Sequence, residues 1–454
     1  LSTLRFGVNY TPSVGWFYSW LEPSWDDVRR DFDAIAALGL DHVRIFPLWP
    51  LLQPNRSTIR QQALEDVRTT VELATAAGLD SAVDAIQGHL SSFDFLPSWM
   101  TTWHRRSMFT DRDAVDAQAR LVGALHEALA DVPGYMALTI GNELNQFADR
   151  PHPTPMTATP DDVTAWLDTL LGTVPGGSAG SRGSAGSRGS AGSPGSAGPG
   201  VAVLHAEYDA AWYLDDHPFL PTHASRSGDM TAIHSWIFNG TGQTYGGLSE
   251  QSVRHAEYLA ELSRAFAVDD SRPVWLQEVG APLNCLAESE VADFCEQTVR
   301  HAADVPGMWG VTWWCSHDVA RSFADFPELE HTLGLFDEEG KPKPIAQRFA
   351  SVAAELTSAA APSAPPPRTT AVVVPVDEND VPLRRSDAAP GGGIFTRWIE
   401  LAAAGERPAL VTSADADDAA RLEARGITSV VQPAADGRSV YAAVSEDPSL
   451  AIGA

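Results

Sequence analysis

Lysine is almost missing from this chain of 454 residues. Of 31 basic side chains only Lys341 and Lys343 are lysines, and 59 acidic residues leave a formal net charge of −28. A field of that sign repels phosphate backbones and anionic membrane surfaces, which argues against nucleic acid or lipid as main partner and leaves neutral ligands open. Cysteine is nearly as scarce: Cys285, Cys295 and Cys315 are too few for a disulfide framework and lack the close spacing of a structural zinc site. A Cys285–Cys295 bridge is a minor alternative, and the favoured reading places all three in the interior. Long apolar runs are absent too, none approaching the roughly 20 residues that cross a bilayer. With a strand pattern starting almost at once and no signal segment ahead of it, a soluble, cytoplasmic protein is expected, secretion staying open for a processed N-terminus.

What is present is a repeating alternation. Short apolar runs such as "LRFGVNY", "HVRIFPLWP", "LDSAVDAI", "YMALTIG", "VAVLHAE", "MTAIHSWIF", "PVWLQEVG" and "MWGVTWW" make eight strand candidates, most of them followed by an amphipathic helix. In the first helix Ser24 and Asp27 signal the start, Val28, Phe32 and Ile35 share one face, and Gly39 stops it. Strands apolar on both faces and separated by helices imply parallel pairing with right-handed crossovers. Eight such units predict a closed (β/α)8 barrel, the TIM-barrel architecture, over residues 1–357.

Two composition breaks interrupt the pattern. Residues 176–200 form a Gly/Ser/Ala tract with nothing to bury, expected as a disordered insertion. Residues 358–370, "SAAAPSAPPPRTT", read as a linker to a small C-terminal α/β or β-rich domain over 371–454, with strands at "AVVVPV", "ALVTS" and "SVVQP" and a helix at "DADDAARLEARG". "PGGGIF" lacks the Lys and Ser/Thr of a phosphate loop and reads as a turn. The module is expected to pack on the barrel for stability or for assembly into a homo-oligomer.

In such a barrel the C-terminal strand ends converge on one cleft. They carry Asn9 and Tyr10, Arg44, His89, Asn142 and Glu143, His205 and Glu207, His234 and Trp236, Gln277 and Glu278, and Trp313 and Trp314. Glu143 and Glu278, on the fourth and seventh strands, form the pair that stands out. Two facing carboxylates can divide the cleavage of an acetal, one protonated to donate to the leaving oxygen and the other ionised to attack or activate water. Arg44 is suited to hold the attacking carboxylate ionised. Trp16, Phe17, Trp20, Trp49, Trp99, Trp103, Trp236, Trp313 and Trp314 supply faces on which a sugar can stack, though any single one is more readily explained by packing. A metal site from His89, His205, Glu207 and His234 lacks a local HxH or HExxH anchor, and no GxSxG elbow supports serine chemistry. Neither a metal nor a cofactor is expected.

The ordered set "HVRIF", "GNEL", "HSW", "WLQEVG" and "GVTWW" resembles the retaining glycoside hydrolases of the eightfold-barrel clan, family 5 in particular, from about Phe6 to Leu356. The resemblance implies Glu143 as acid/base, Glu278 as nucleophile, Arg44 as its support, Asn142 on the sugar 2-hydroxyl, and His89 and His234 lining the subsite. It also implies Trp313 or Trp314 as the sugar platform; Trp16 and Trp49, from their places at strand ends and loops, are expected as further sugar contacts. Trp236 departs from the family pattern, which has a tyrosine two residues after the sixth-strand histidine to bond the nucleophile. Its indole is expected to lack the same reach, so that either another hydroxyl such as Tyr245 serves or the subsite is shaped differently. The first loop "TPSVGWFYSWLEPSW" and the run "EHTLGLFDEEGKPKP" resemble the bacterial β-mannosidase branch. A neutral oligosaccharide, a short β-mannoside, is therefore the expected partner. A β-glucosidase, an endo-β-glucanase or mannanase, and a non-catalytic carbohydrate-binding barrel stay open.

Overall fold

The computed structural model describes residues 4–103, 106–150, 152–175, 200–358 and 365–441. Eight parallel strands form its centre: β1 (Arg5–Asn9), β2 (His42–Ile45), β3 (Asp80–Ile86), β4 (Tyr135–Gly141), β5 (Ala202–Leu204), β6 (Thr231–Ser235), β7 (Val274–Val279) and β8 (Met308–Trp313). The ladder runs β5-β4-β3-β2-β1-β8-β7-β6. At the remaining seam the Asp229 N–H donates to the Val203 carbonyl (2.8 Å) and Val203 N–H donates to Asp229 Oδ2 (2.8 Å), so the ring nearly closes. The predicted eightfold barrel is thus the architecture observed.

Among the described residues seven principal helices cover the outside: α1 (Trp25–Ala37), α2 (Gln61–Ala76), α3 (Arg112–Leu129), α4 (Pro160–Leu171), α5 (His255–Phe266), α6 (Val291–Ala303) and α7 (Pro344–Leu356). Local sequence explains them. Val28, Phe32 and Ile35 of α1 are the buried positions, and α4 opens on a capping box between Thr159 and Asp162 with Pro160 in its first turn.

Inside the ring the lower layer is packed rather than hollow. His42 Nε2 lies 2.7 Å from Thr312 Oγ1, which also accepts from the Trp275 indole (2.7 Å). Gly7 leaves the room that the His42 ring occupies, since a Cβ there would come within 2.3 Å of it. The space above this plug is where strand-end side chains meet.

Beyond the barrel, β9 (Thr370–Val374) is the middle of a three-stranded parallel sheet flanked by β10 (Pro408–Thr412) and β11 (Ser429–Val431). The turn expected at "PGGGIF" ends at Gly392. Gly393 opens helix α8 (Gly393–Ala403), where a Cβ would come within 2.4 Å of the Ala434 carbonyl. The helix read from "DADDAARLEARG" is α9 (Ala419–Ala424). All three cysteines are free thiols, so Cys285 and Cys295 do not pair; burial pushes the Cys285 thiol up to about 12. The tract 176–200, apart from Gly200, and residues 359–364 of the expected linker lie outside the described residues. Among the described residues no helix is long and apolar enough to cross a membrane.

The C-terminal sheet docks on α5, which is buried on almost every side. Arg368 stands 2.7 Å from Glu257 Oε1 and 3.3 Å from Glu261 Oε1, Arg425 reaches Glu261 Oε2 at 3.4 Å, and the Tyr258 hydroxyl donates to the Ala388 carbonyl (2.6 Å). A second contact goes deeper. Tyr441 donates to Asp209 Oδ1 (2.6 Å), Asn239 donates to Asp209 Oδ2 (2.5 Å), and the Tyr208 hydroxyl donates to Asn239 Oδ1 (2.9 Å). Burial raises the Asp209 carboxyl to about 7, tempered by these donors. Replacing Tyr441 by Phe removes one donor from a fully buried carboxyl, and should cost about 1–3 kcal/mol. Thermal unfolding at one fixed scan rate checks this; an unchanged midpoint would show that the contact contributes nothing.

Candidate active site

A cavity opens at the C-terminal ends of the strands, lined by His89, Asn142, Glu143, Trp236, Glu278 and Trp314 among others. At its floor lies Arg44, fully buried on β2. Its guanidinium donates to both oxygens of Asp84 (Nε to Oδ1 3.0 Å, Nη2 to Oδ2 2.7 Å), to Glu278 Oε1 (2.7 Å), to Asn142 Oδ1 (2.6 Å) and to Asn9 Oδ1 (3.2 Å). Burial works against the Arg44 charge, but Asp84 and Glu278 outweigh it and its pKa is raised. Asp84, in the middle of an apolar strand, escaped notice in the sequence although its position there was a signal.

Glu278 reaches the cavity through an irregularity in β7. Ile233 and His234 of β6 pair with Leu276 and Glu278, and Val311 and Trp313 of β8 pair with Leu276 and Val279, so β7 carries one extra residue. Such a bulge re-aims side chains. Gln277 accordingly turns into the barrel, donating to Thr139 Oγ1 (3.2 Å), while Glu278 faces the cavity. Burial raises the Glu278 carboxyl, with Glu143 adding to the rise and His234 and Arg44 opposing it.

Glu143 gets there differently. Its backbone is left-handed (φ 45°), at a sharp turn directly after β4. The turn is tight enough that a Cβ on Gly141 would lie 2.4 Å from Leu144 Cδ1 and 2.7 Å from the Ile86 carbonyl. Strained backbone of this kind persists where the surroundings fix it. Gln146 donates to Glu143 Oε2 (2.6 Å), and burial pushes the carboxyl up to about 7.

His234 links the two acids. Its Nδ1 is 2.7 Å from Glu143 Oε1 and 3.5 Å from Glu278 Oε2, and its Nε2 is 3.2 Å from Gln277 Oε1. Burial lowers its pKa, favouring neutral imidazole. With Nε2–H donating to the Gln277 carbonyl oxygen, Nδ1 is left as an acceptor and Glu143 must supply the proton. One carboxylate oxygen from each glutamate and a ring nitrogen of His234 all lie within 4.8 Å of one another. This is the single group of three or more potential metal ligands that converges among the described residues, and the Arg44 guanidinium beside Glu278 opposes a cation there. The set His89, His205, Glu207 and His234 does not come together: His205 and Glu207 pair with each other at 3.2 Å outside the cavity lining.

The aromatic expectations divide. Trp236 and Trp314 line the cavity, and the Trp236 indole donates to Glu278 Oε2 at 3.4 Å, so it does reach the carboxylate. Tyr245 does not substitute for it, as its hydroxyl stands against Gly391 of the C-terminal module. Trp313 points outward, fully buried against Phe349 of α7. Trp49 packs edge-on to Trp99 and donates to Gln53, and Trp16 is buried against Phe17 and Phe326. None of these three lines the cavity. His89 does, held by Asp94 (3.1 Å), which His152 also contacts (3.0 Å), and Asn142 donates to the His89 carbonyl (3.3 Å). Ser91, Tyr208 and Glu330 also line it and went unforeseen.

No family model and no curated protein sequence matches the chain. Solved structures do. A GH5_18 from Bifidobacterium longum subsp. infantis shares 50% identity at a TM-score of 0.89, over 98% of this chain and 99% of that one. A glutamate-to-alanine variant of a GH5_18 from Bifidobacterium longum subsp. longum, in complex with Manβ1-4GlcNAc, shares 48% identity at 0.90, over 98% and 100%. A glutamate-to-alanine variant of a GH5_18 from Streptomyces cattleya, in complex with the same disaccharide, shares 50% identity at 0.88, over 95% and 99%. With half its residues identical across nearly the whole length, and with two buried glutamates meeting at the mouth of the same barrel, the chain belongs to the GH5_18 glycoside hydrolases.

Proposed function

We propose that this protein is a retaining β-glycosidase that releases mannose from short β-mannosides, with Glu143 as acid/base and Glu278 as nucleophile. The observation that carries it is the approach of the two carboxyl groups to within 4.8 Å in opposite environments. Retaining enzymes hold their carboxyls about 5–5.5 Å apart, whereas inverting ones need about 6.5–9.5 Å to admit a water. Relatives that carry Manβ1-4GlcNAc support the mannoside.

Each environment suits its role. Glu143, desolvated and facing an acceptor nitrogen, keeps a proton near neutral pH; Glu278, gripped by Arg44, is the better anion. In the first step Glu143 gives its proton to the bridging oxygen, the C1–O bond breaks, and Glu278 forms an ester to C1. The leaving sugar departs as an alcohol. In the second, Glu143 takes a proton from water, the oxygen attacks C1, and the Glu278 ester bond breaks. Trp236 and Trp314 offer the apolar walls for the ring.

Two outcomes follow. Glu278→Gln should abolish turnover of an aryl β-mannoside while binding of the sugar, followed calorimetrically, persists; an inactive parent that still binds would instead indicate a binding barrel. Glu143→Gln should slow hydrolysis of an unactivated β-mannoside by ~10²–10⁴-fold. A panel of aryl β-mannoside, aryl β-glucoside and unmodified oligosaccharides settles the sugar, and preference for glucosides would overturn the mannoside.

The pH profile has a definite sign. The free enzyme works with Glu143 protonated and Glu278 ionised, so kcat/KM should fall as pH rises through about 7 and fall again on the acid side as Glu278 gains a proton. In Glu143→Gln the basic limb should vanish. Its survival there would assign that limb to another group.

A further inference from the structure

The C-terminal module does more than lean on α5: it also grips the loop that follows β5. Arg385, on a short helical turn (Arg385–Asp387), enters that loop and is only 3% exposed. Its Nη1 donates to the carbonyls of Ala211 (3.0 Å) and Phe219 (2.7 Å), and its Nη2 to those of Asp215 (2.6 Å) and His217 (2.6 Å). Ser386 clamps the same place, its N–H and hydroxyl donating to the two carboxylate oxygens of Asp215 (3.0 and 2.9 Å). Burial lowers the Arg385 guanidinium to about 10, so it stays charged at neutral pH. Backbone carbonyls gathered by one buried cation have little freedom to rearrange, because each would lose its partner on leaving.

The loop so held reaches the acid/base. His217 Nδ1 accepts from the Phe219 N–H (3.1 Å), which leaves the proton on Nε2, and that nitrogen donates to the Asn145 carbonyl (3.1 Å). Asn145 is locked a second time by the backbone of Tyr208. Its side-chain N–H donates to the Tyr208 carbonyl (3.0 Å), and its Oδ1 accepts from the Tyr208 N–H (2.8 Å). Tyr441 grips the same loop at Asp209, the residue after Tyr208. Asn145 and Gln146 belong to the helical turn (Leu144–Ala148) that begins directly after Glu143, and Gln146 is the donor to Glu143 Oε2. The left-handed backbone at Glu143 thus leans on a loop that the module holds in two places.

We infer that Arg385 and Tyr441 are positioning residues for the acid/base: through the loop after β5 and Asn145 they fix the turn that aims Glu143, so the C-terminal module is part of the catalytic unit. The inference rests on the glycosidase reading above. A proton passes only when donor and acceptor meet at hydrogen-bond distance, and a misplacement of about 1 Å can cost ~10²-fold in rate. Glu278 is held separately, by Arg44 and by the bulge in β7. Loosening the module should therefore disturb one acid and spare the other.

The test compares the parent, Arg385→Met, Tyr441→Phe and Glu143→Gln on an unactivated β-mannoside and on 2,4-dinitrophenyl β-mannoside, whose leaving group needs no proton. Arg385→Met should lose ~10- to 10²-fold in kcat/KM on the first and stay within about threefold of the parent on the second, with Tyr441→Phe showing a weaker form of the same split. Azide, which attacks C1 and displaces Glu278 without a proton to remove, should raise kcat on the dinitrophenyl substrate in Arg385→Met and leave the parent unchanged. Arg425→Gln, which cuts the contact with α5 and leaves the loop alone, should keep the parent ratio between the substrates. Parent-like ratios in both Arg385→Met and Tyr441→Phe, an equal loss on both substrates, or a split in Arg425→Gln as large as in Arg385→Met would overturn the inference. Should Arg385→Met fail to fold, the Tyr441→Phe ratio decides. Glu143→Gln separates the two readings: if it shows no split, the acid/base assignment falls; if it shows one while the module variants do not, only the positioning role falls.

Discussion

Arg44 is the charge around which the barrel mouth is arranged. It is wholly buried, and it meets Asp84, Glu278, Asn142 and Asn9 from four different strands or strand ends. A planar guanidinium can do this because its donors lie in a fixed fork, whereas a lysine ammonium would satisfy fewer partners at less defined angles. The near absence of lysine elsewhere does not bear on this site; the geometry alone requires arginine. Removing one partner from a buried ionic cluster typically costs about 3–5 kcal/mol, because the others are left uncompensated. The cluster therefore fixes both stability and orientation, and Asn142 and Glu278 inherit their positions from it.

From that fixed point the two glutamates diverge. Glu278 sits against the cation, Glu143 one imidazole away from it. His234 can serve as the partition because burial keeps it neutral and Gln277 takes its Nε2 proton, so the nitrogen facing Glu143 can only accept. The same residue thus favours a proton on Glu143 without placing a positive charge between the acids. The difference in setting between two chemically identical side chains arises here from neighbours, one strand bulge and one left-handed turn.

Much of this was legible in the sequence, and the failures have physical causes. The eight strands announced themselves as apolar runs between amphipathic helices, and Glu143, Glu278 and Arg44 stood out as polar residues where those runs end. Trp313 and Trp314 could not be told apart, because a shift of one residue along a strand moves a side chain to the opposite face. Trp49 and Trp16 stand at positions that suggest sugar contacts, yet both fold inward to pack, the commoner fate of a large apolar ring. Glu330 opens the run "EHTLGLFDEEGKPKP", whose resemblance to the β-mannosidase branch does not single out that residue, and only the tertiary course of the chain buries its carboxyl. The reach of Trp236 to Glu278 depends on strand register, which spacing does not encode.

Three buried acids, Glu143, Asp209 and Glu330, have carboxyls raised to about 7, so desolvation alone does not distinguish a catalytic group from a structural one. What their oxygens touch does. Asp209 receives Tyr441 on one oxygen and Asn239 on the other, and through Asn239 it steadies Tyr208 in the cavity wall; a satisfied carboxyl of this kind ties the C-terminal sheet to the barrel. Glu143 meets a nitrogen able to share its proton and a cavity into which that proton can go. Glu330 stands in the wall of the same cavity beside Ser91 and Trp314, which temper the effect of its burial. The same rise in pKa therefore accompanies three different settings, and it is the hydrogen-bond inventory around each acid that distinguishes them.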